Sequence, residues 1–104
     1  MPQRPERILT LHPEKGKGGP RITRDKYDAM KKALLKVIPR KKDGVRFLDL
    51  SRLVKPHLSK KIYGPKVSVP WYVITVKLDL EARRLIERVP DAKPQRIRRR
   101  AGSR

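Results

Sequence analysis

Apolar residues of the chain recur at helical spacing in three segments, and the first of these covers residues 24–38. Thr23 is a favourable N-cap residue, and Asp25 suits the positive end of a helix dipole. The apolar positions follow at three- and four-residue steps: Tyr27, Met30, Leu34 and Val37 with Ile38. This spacing predicts a helix that turns one face to the core and ends before a proline, which disfavours helical backbone in the preceding residue.

A short strand and a second helix are predicted next. Valine, arginine and phenylalanine at 45–47 alternate apolar and polar positions, which favours a very short strand. The period then becomes helical, carried by Leu50, Leu53, Val54 and Leu58. Pro56 should end or kink this second helix near Lys55, because proline lacks the amide donor that a helix interior needs.

The third helix is predicted to begin near Val69, with Ser68 as its N-cap and Pro70 in its first turn. Its apolar positions at four- and three-residue steps are Trp71, Ile74 with Thr75, Leu78, Ala82 and Leu85. We expect that face of the helix to lie in the core. Asp79 and Arg83 are four residues apart and should form an ion pair on the helix.

The helical period stops after Ile86, and a hairpin is predicted in the remainder of the chain. Residues 87–89 and 95–98 are two short alternating runs on either side of a turn bounded by Pro90 and Pro94. Helix, short strand, helix, helix and hairpin follow in the order of a winged helix-turn-helix domain. We therefore predict a mainly helical α+β fold, with three helices, one short strand and a C-terminal two-stranded wing.

The same signals divide the chain into an arm, a domain and a tail. In the arm, Ile8, Leu9 and Leu11 favour an edge strand or a strap packed on the domain. Glycines and lysines at 15–20 favour a flexible cationic linker. The predicted limits are residues 1–20 for the arm and basic linker, 21–99 for the winged-helix domain, and 100–104 for a frayed basic tail.

Charge then narrows the class of partner. The 104 residues include 29 Lys and Arg against 10 Asp and Glu, a formal net charge of +19 at pH 7. Such a balance attracts polyanions, of which nucleic acid is the best candidate. The absence of cysteine excludes disulfides and thiol chemistry, and no apolar run approaches the roughly 20 residues of a membrane span. With no signal-like apolar stretch at its start, the chain is expected in the cytoplasm, without a membrane partner.

The stretch TVKLDLEARRLIERV, residues 75–89, resembles the end of the recognition helix and the first wing strand of winged-helix transcription regulators. Those proteins share leucine, two residues, leucine, glutamate, then arginine-glycine-leucine-isoleucine. The corresponding positions here are Leu80, Glu81, Leu85 and Ile86, and Leu78 stands one residue closer to Leu80 than the first leucine of that pattern. Arg84 stands where the family usually has a glycine that caps the helix in the left-handed conformation. Either an arginine adopts positive φ at a cost of roughly 1 kcal/mol, or the turn that leaves the helix differs.

A second resemblance covers residues 4–99, from RPERIL through GKGGPRI to PWYVITVKLDLEARRLIERVP. Over that length the chain is similar to a small uncharacterised bacterial family of winged-helix-like proteins. The resemblance implies a fold and no known activity.

Catalytic and metal chemistry have little support in the sequence. His12 and His57 each stand alone, without a carboxylate at metal-ligand spacing on a shared helix face. Asp79 and Glu81 are two residues apart and would point to different sides of a helix, so they cannot form a carboxylate pair. We therefore expect no enzyme activity, no metal and no cofactor.

Nucleic-acid contacts are expected from two groups of residues. The third helix would enter a groove with Ser68, Tyr72 and Thr75 forward and Lys77 on the flank. That face of the helix carries none of the Arg, Asn or Gln side chains that make bidentate base contacts, so sequence readout should be limited. The phosphate contacts would come from cations on either side: Lys60, Lys61, Lys66, Lys93, Arg96, Arg98 and Arg99. Further cations occur on the first helix and the turn after it: Lys31, Lys32, Lys36, Arg40, Lys41 and Lys42.

The expected function is binding of double-stranded DNA through phosphate contacts, as in a transcription regulator. Two alternatives stay open. One is a basic protein associated with duplex RNA or the ribosome. The other is a winged-helix protein-interaction module, in which Tyr72, Val73 and the arm pack against a partner or form a homodimer.

Overall fold

The computed structural model describes residues 6–101, and it shows an α+β fold of three helices and two small antiparallel sheets. The elements are β1 (Arg7–Leu11), β2 (Gly18–Thr23), α1 (Arg24–Val37), β3 (Val45–Arg46), α2 (Leu50–Val54), α3 (Val69–Ala82), β4 (Ile86–Arg88) and β5 (Arg96–Arg99). Short 3₁₀ turns at Phe47–Asp49 and Lys55–His57 flank α2. Residues 1–5 of the predicted arm and 102–104 of the predicted tail lie outside the described residues.

The first two helices confirm the predictions made from their apolar periods. On α1, Tyr27, Met30 and Leu34 are buried in the core. On α2, Leu50 and Val54 are fully buried. The α-helical part of α2 ends one residue before Lys55, and the chain continues as the 3₁₀ turn that contains the predicted proline. The predicted short strand is one residue shorter, because Phe47 begins the 3₁₀ turn that follows β3.

The C-terminal hairpin is confirmed, and it joins β3 in a three-stranded sheet of order β3-β5-β4. Glu87 pairs with Arg98 across the hairpin, and Ile97 pairs with Val45 of β3. The close approach of the α1–β3 loop to β5 requires glycine at position 44. Gly44 has a φ of 60°, and a Cβ there would overlap the carbonyl oxygen of Ile97.

The N-terminal segment differs in part from its prediction. Ile8, Leu9 and Leu11 do lie in a strand, but β1 pairs with a second strand that begins at Gly18. The prediction of a flexible linker over 15–20 is therefore wrong for its last three residues. Glycine and proline favour turns in isolation, but a two-stranded ribbon also accepts them. Thr10 fixes this pairing from the inside, since its buried hydroxyl donates to the carbonyl of Pro20 at 2.6 Å. β2 consequently crosses the predicted boundary between arm and domain.

The face of α3 that packs in the core is not the one predicted. Val73, Val76 and Leu80 are buried, whereas Trp71 and Ile74 keep 45% and 46% of their surface exposed. Apolar residues occur on nearly every side of this helix, so their spacing alone did not distinguish the buried side. The predicted pair does form, with Arg83 Nε 2.9 Å from Asp79 Oδ2.

The exit from α3 passes through a left-handed residue, a conformation that favours glycine. Arg84 has a φ of 64°, in the left-handed region. Its amide donates to the carbonyl of Glu81, and the amide of Leu85 donates to the carbonyl of Leu80 at 3.0 Å. These two bonds form a Schellman cap. The chain then enters β4, and the amide of Arg100 donates back to the carbonyl of Leu85, so the first residue of the predicted tail is paired.

Candidate nucleic-acid interface

The N-terminus of α3 is held by the predicted cap. The hydroxyl of Ser68 accepts a hydrogen bond from the amide of Trp71 at 3.3 Å, and Ser68 is exposed. Tyr72 is half-buried between two aromatic neighbours, with ring centroids 5.4 Å from Tyr63 and 4.9 Å from Trp71. Ser68 and part of the Tyr72 ring are thus the predicted helix contacts that reach the surface.

The other two predicted contacts on α3 lie inside the protein. Thr75 keeps 8% of its surface exposed and Lys77 keeps 2%. Val73 and Val76, which flank them in sequence, are core residues as well. A groove-facing role for Thr75 and Lys77 requires that both side chains be exposed, and the packing of α3 buries both.

Lys77 has a structural explanation in its surroundings. Its ammonium pairs with Glu81, and Arg88 Nε lies 3.4 Å from the other oxygen of the same carboxylate. The ammonium also lies over the ring of Phe47, 5.1 Å from its centroid. Burial lowers the pKa of Lys77 below its ordinary value, and the pairing with Glu81 opposes that shift. The cation is therefore committed to an internal pair.

The three predicted arginines of β5 all reach the α1–β3 loop. Arg96 Nε donates to the carbonyl of Asp43 at 2.7 Å, and Arg98 Nη1 donates to the carbonyl of Lys42 at 2.9 Å. Arg99 binds the start of the loop, since its Nε donates to the carbonyl of Ile38 at 3.2 Å. These bonds hold the loop against the strand. A planar guanidinium keeps further N–H groups after such a bond, so the arginines can still present charge.

This attachment builds a basic cleft at the end of the sheet. The cleft has a volume of about 290 Å³ and is lined by Arg40, Lys42, Glu87, Arg98, Arg99 and Ala101. Its one carboxylate is engaged, since Glu87 Oε2 accepts from Arg98 Nε at 2.6 Å and Glu87 Oε1 lies 3.8 Å from Arg100. Four cations therefore surround a cleft whose acid is already paired. We call this site the β5 cleft.

The remaining predicted cations are exposed but dispersed. Lys60, Lys61 and Lys66 lie in the connection before α3, and Lys60 borders a shallow depression beside Tyr63. Lys93 is exposed in the turn between β4 and β5. None of these four lines the β5 cleft. A separate groove between α1 and the 3₁₀ turn after α2, which we call the α1 groove, is bordered by two other cations, Lys32 and Lys36, and by His57.

The residues that complete the β5 cleft, Arg40 and Lys42, were recognised in the sequence only as part of a basic turn. Their proximity to Arg98 and Arg99 depends on a pairing between segments more than 50 residues apart. Gly44 was the residue that could have indicated this proximity from the sequence, because a glycine after a charged turn is typical of a backbone that closely approaches another segment.

Within residues 6–101, no group of three or more potential metal ligands is assembled. A helix long and apolar enough to cross a membrane is likewise absent from that part of the chain.

Comparison with known proteins places the chain in a family. It belongs to a family of unknown function, DUF6958, whose profile matches residues 7–97. That match includes every strand and helix up to the middle of β5. Searches of curated proteins and of solved structures found no significant match.

Proposed function

We propose that this protein is a winged-helix protein that binds double-stranded nucleic acid, preferably DNA, through its phosphates. The winged-helix assignment is supported by the order of elements from α1 to β5. It is also supported by the sheet order β3-β5-β4, in which the hairpin adds to the short strand that follows the first helix. Duplex is favoured over single-stranded nucleic acid because single strands need several stacking surfaces, and aromatic residues make up 5% of this chain.

The observation that carries the proposal is the β5 cleft. The guanidinium groups of Arg98 and Arg99 are positioned by bonds to backbone carbonyls, so these two side chains have little freedom to lose when an anion binds. Guanidinium groups match the planar oxygen pairs of phosphate, and ammonium groups add point charge. A fixed cluster of this kind is suited to successive phosphates of a nucleic-acid backbone, with the formal charge of +19 supplying long-range attraction.

Limited sequence readout is part of the same proposal. The half-exposed side of α3 carries Trp71 and Ile74. Neither side chain can make the bidentate contacts that distinguish base pairs in the major groove. Affinity would then come mainly from counterion release, which does not depend on base sequence.

The test is an anisotropy titration of labelled duplex DNA and duplex RNA at several salt concentrations. If about 6–10 phosphates are contacted, affinity for DNA should fall roughly 10³–10⁵-fold between 50 and 200 mM salt. Replacing Lys42, which lines the β5 cleft, and its neighbour Lys41 together by glutamine should lower the salt slope by about two, since each lost phosphate contact removes about one. Both side chains are exposed, so the fold should be preserved.

A matched control separates the β5 cleft from net charge. Replacing Lys32 and Lys36 by glutamine also removes two positive charges, but from the α1 groove. This variant should keep nearly the wild-type slope. Equal losses in the two variants would show diffuse attraction without a site, and a flat salt response in the wild type would overturn the proposed function. Tighter binding to duplex RNA would reverse the preference for DNA.

A further inference from the structure

The outward side of α3 is apolar where a nucleic-acid-reading helix would be polar. Trp71, Ile74 and Leu78 follow at spacings of three and four, so they share one face. Trp71 and Ile74 are nearly half exposed, and Leu78 is partly exposed. We call this face the α3 stripe. Three large apolar side chains on this face are not fully buried among the described residues. Exposed apolar patches of this kind are typical of interaction surfaces.

The neighbouring strand adds to the same apolar character. The amide of Leu11 donates to Asp79 Oδ1 at 2.9 Å, which holds β1 against the side of α3. Thr10 points inward and is fully buried, while Leu9 and Leu11 on either side of it are 47% and 38% exposed. Outward leucines thus lie on the element next to the stripe.

The tryptophan packs against a series of aromatic rings. Its ring packs edge-on against Tyr72, with centroids 4.9 Å apart, and Tyr72 packs in the same way on Tyr63. The hydroxyl of Tyr63 donates to the carbonyl of Lys26 in α1 at 2.6 Å, so the aromatic series is anchored in another helix. A half-exposed tryptophan that packs on an anchored aromatic neighbour is typical of an anchor residue in a protein interface, since tryptophan loses little side-chain entropy on binding.

The charges around the stripe select the partner. The two carboxylates of α3 add little negative charge to the surface, because Asp79 is fully buried and the Glu81 side chain is 8% exposed. Two exposed arginines lie close to it: Arg88 Nε is 3.4 Å from Glu81, one turn after Leu78, and Arg21 pairs with the outward Leu9 across β1 and β2. An apolar stripe with a cationic border is complementary to an acidic segment with an apolar face. A second copy of this chain would instead bring together two proteins of formal charge +19.

We infer that the α3 stripe is a docking site for an acidic amphipathic helix of a partner protein. Helices that lie along such a surface insert apolar side chains at spacings of three, four and seven residues. In this arrangement their carboxylates would face the bordering arginines. The site is separate from the β5 cleft, so nucleic acid and a protein partner could be held at the same time.

The test uses a labelled helical peptide about 18 residues long, with leucines along one face and glutamates on the other. A second peptide has the same composition with the leucines spread around the helix. Wild-type protein should bind the first peptide about tenfold more tightly than the second, because only the first presents an apolar face. Replacing Trp71 and Ile74 together by serine should remove this preference, with the circular dichroism spectrum unchanged.

Leu48→Ser is the matched control, because Leu48 is 72% exposed and lies outside α3. It should keep the preference. The double serine variant should still bind duplex DNA, whereas the Lys41 and Lys42 variant should lose DNA affinity and keep the peptide preference. The docking site and the proposed function can therefore fail separately.

Three results would overturn the docking site. Equal affinity for the two peptides would show attraction by charge alone. A dimer in sedimentation velocity that dissociates in the double serine variant would assign the stripe to a second copy of the chain. Binding to vesicles of anionic phospholipid that depends on Trp71, without discrimination between the peptides, would assign it to a membrane surface.

Discussion

The hydroxyl of Tyr27 donates a 2.5 Å hydrogen bond to Oδ2 of Asp79, a carboxylate that is fully buried. The same carboxylate accepts from the amide of Leu11 and from Arg83 Nε. One acidic side chain thereby joins α1, α3 and β1. A buried carboxylate with three charge-assisted partners contributes to stability only while all of its partners are in place.

We expect Asp79→Asn to lower the free energy of unfolding by about 2–4 kcal/mol, because it leaves buried donors facing an amide and removes the charge opposite Arg83. Tyr27→Phe should lower it by about 1–2 kcal/mol, since one hydrogen bond to a charged group is lost without a new buried charge. Urea unfolding followed by circular dichroism measures both values. A loss in Asp79→Asn no larger than that in Tyr27→Phe would contradict a central role for the carboxylate.

Alkaline pH should also destabilise the fold. Burial raises the pKa of Tyr27, with a further contribution from its bond to Asp79, and burial raises the pKa of Tyr63. The folded protein then holds these phenol protons more tightly than the unfolded chain, whose tyrosines titrate near 10. Stability is therefore complete below about pH 10 and falls above it, by up to about 1.4 kcal/mol per pH unit for each tyrosine.

Urea unfolding between about pH 9 and 11 measures this dependence, and Tyr27→Phe should reduce its slope. Lys77 acts in the opposite direction. Its pKa is lowered, so the unfolded chain is the stronger proton binder, and this residue makes stability rise as pH approaches the ordinary lysine value. A fall in stability above pH 10 that is as steep in Tyr27→Phe as in the wild type would assign the effect to other groups.

The left-handed residue at the end of α3 predicts a stabilising substitution. Arg84→Gly should raise the free energy of unfolding by about 1 kcal/mol, because glycine adopts a φ of 64° without the steric cost borne by a residue with a Cβ. Arg84→Ala provides the control, since it removes the charge and keeps the Cβ. If the two variants change stability equally, the gain comes from charge and not from backbone conformation.

A substitution at Lys77 can distinguish a structural role of this residue from its predicted role in nucleic-acid contacts. Lys77→Met should leave the salt dependence of DNA binding unchanged, because Lys77 is 2% exposed and its ammonium is paired with Glu81. It should lower the free energy of unfolding by about 1–2 kcal/mol, since Glu81 keeps Arg88 as a partner but loses its buried one. A reduced salt slope together with unchanged stability would restore Lys77 to the interface.

The segments that periodicity located well have polar residues on one side and apolar residues on the other. Along α1 the pattern identified Tyr27, Met30 and Leu34 as core residues, and the structure buries all three. The hairpin of β4 and β5 could be predicted equally well, because two alternating runs around a proline-bounded turn have few other ways to pair.

Periodicity was insufficient on α3, whose side chains are apolar on nearly every side. Which of them face the core depends on what packs against the helix, and here Asp79 bonds to Tyr27 and Leu11 and fixes its rotation. The exposed stripe with Trp71 and the burial of Lys77 both follow from that rotation. The N-terminal ribbon was missed in part for a similar reason, since Gly18 and Pro20 favour a turn until β1 pairs with them.

The sequence by itself determined the charge, the absence of cysteine, the extent of α1 and the hairpin. Each of these depends on composition or on residues close together in the chain. Tertiary structure decided the two surfaces proposed for function. The β5 cleft exists because Arg98 and Arg99 bind carbonyl groups of a loop more than 50 residues earlier. The α3 stripe exists because a buried carboxylate fixes which side of an apolar helix faces solvent. Contacts between distant segments determine both, and local sequence patterns do not report such contacts.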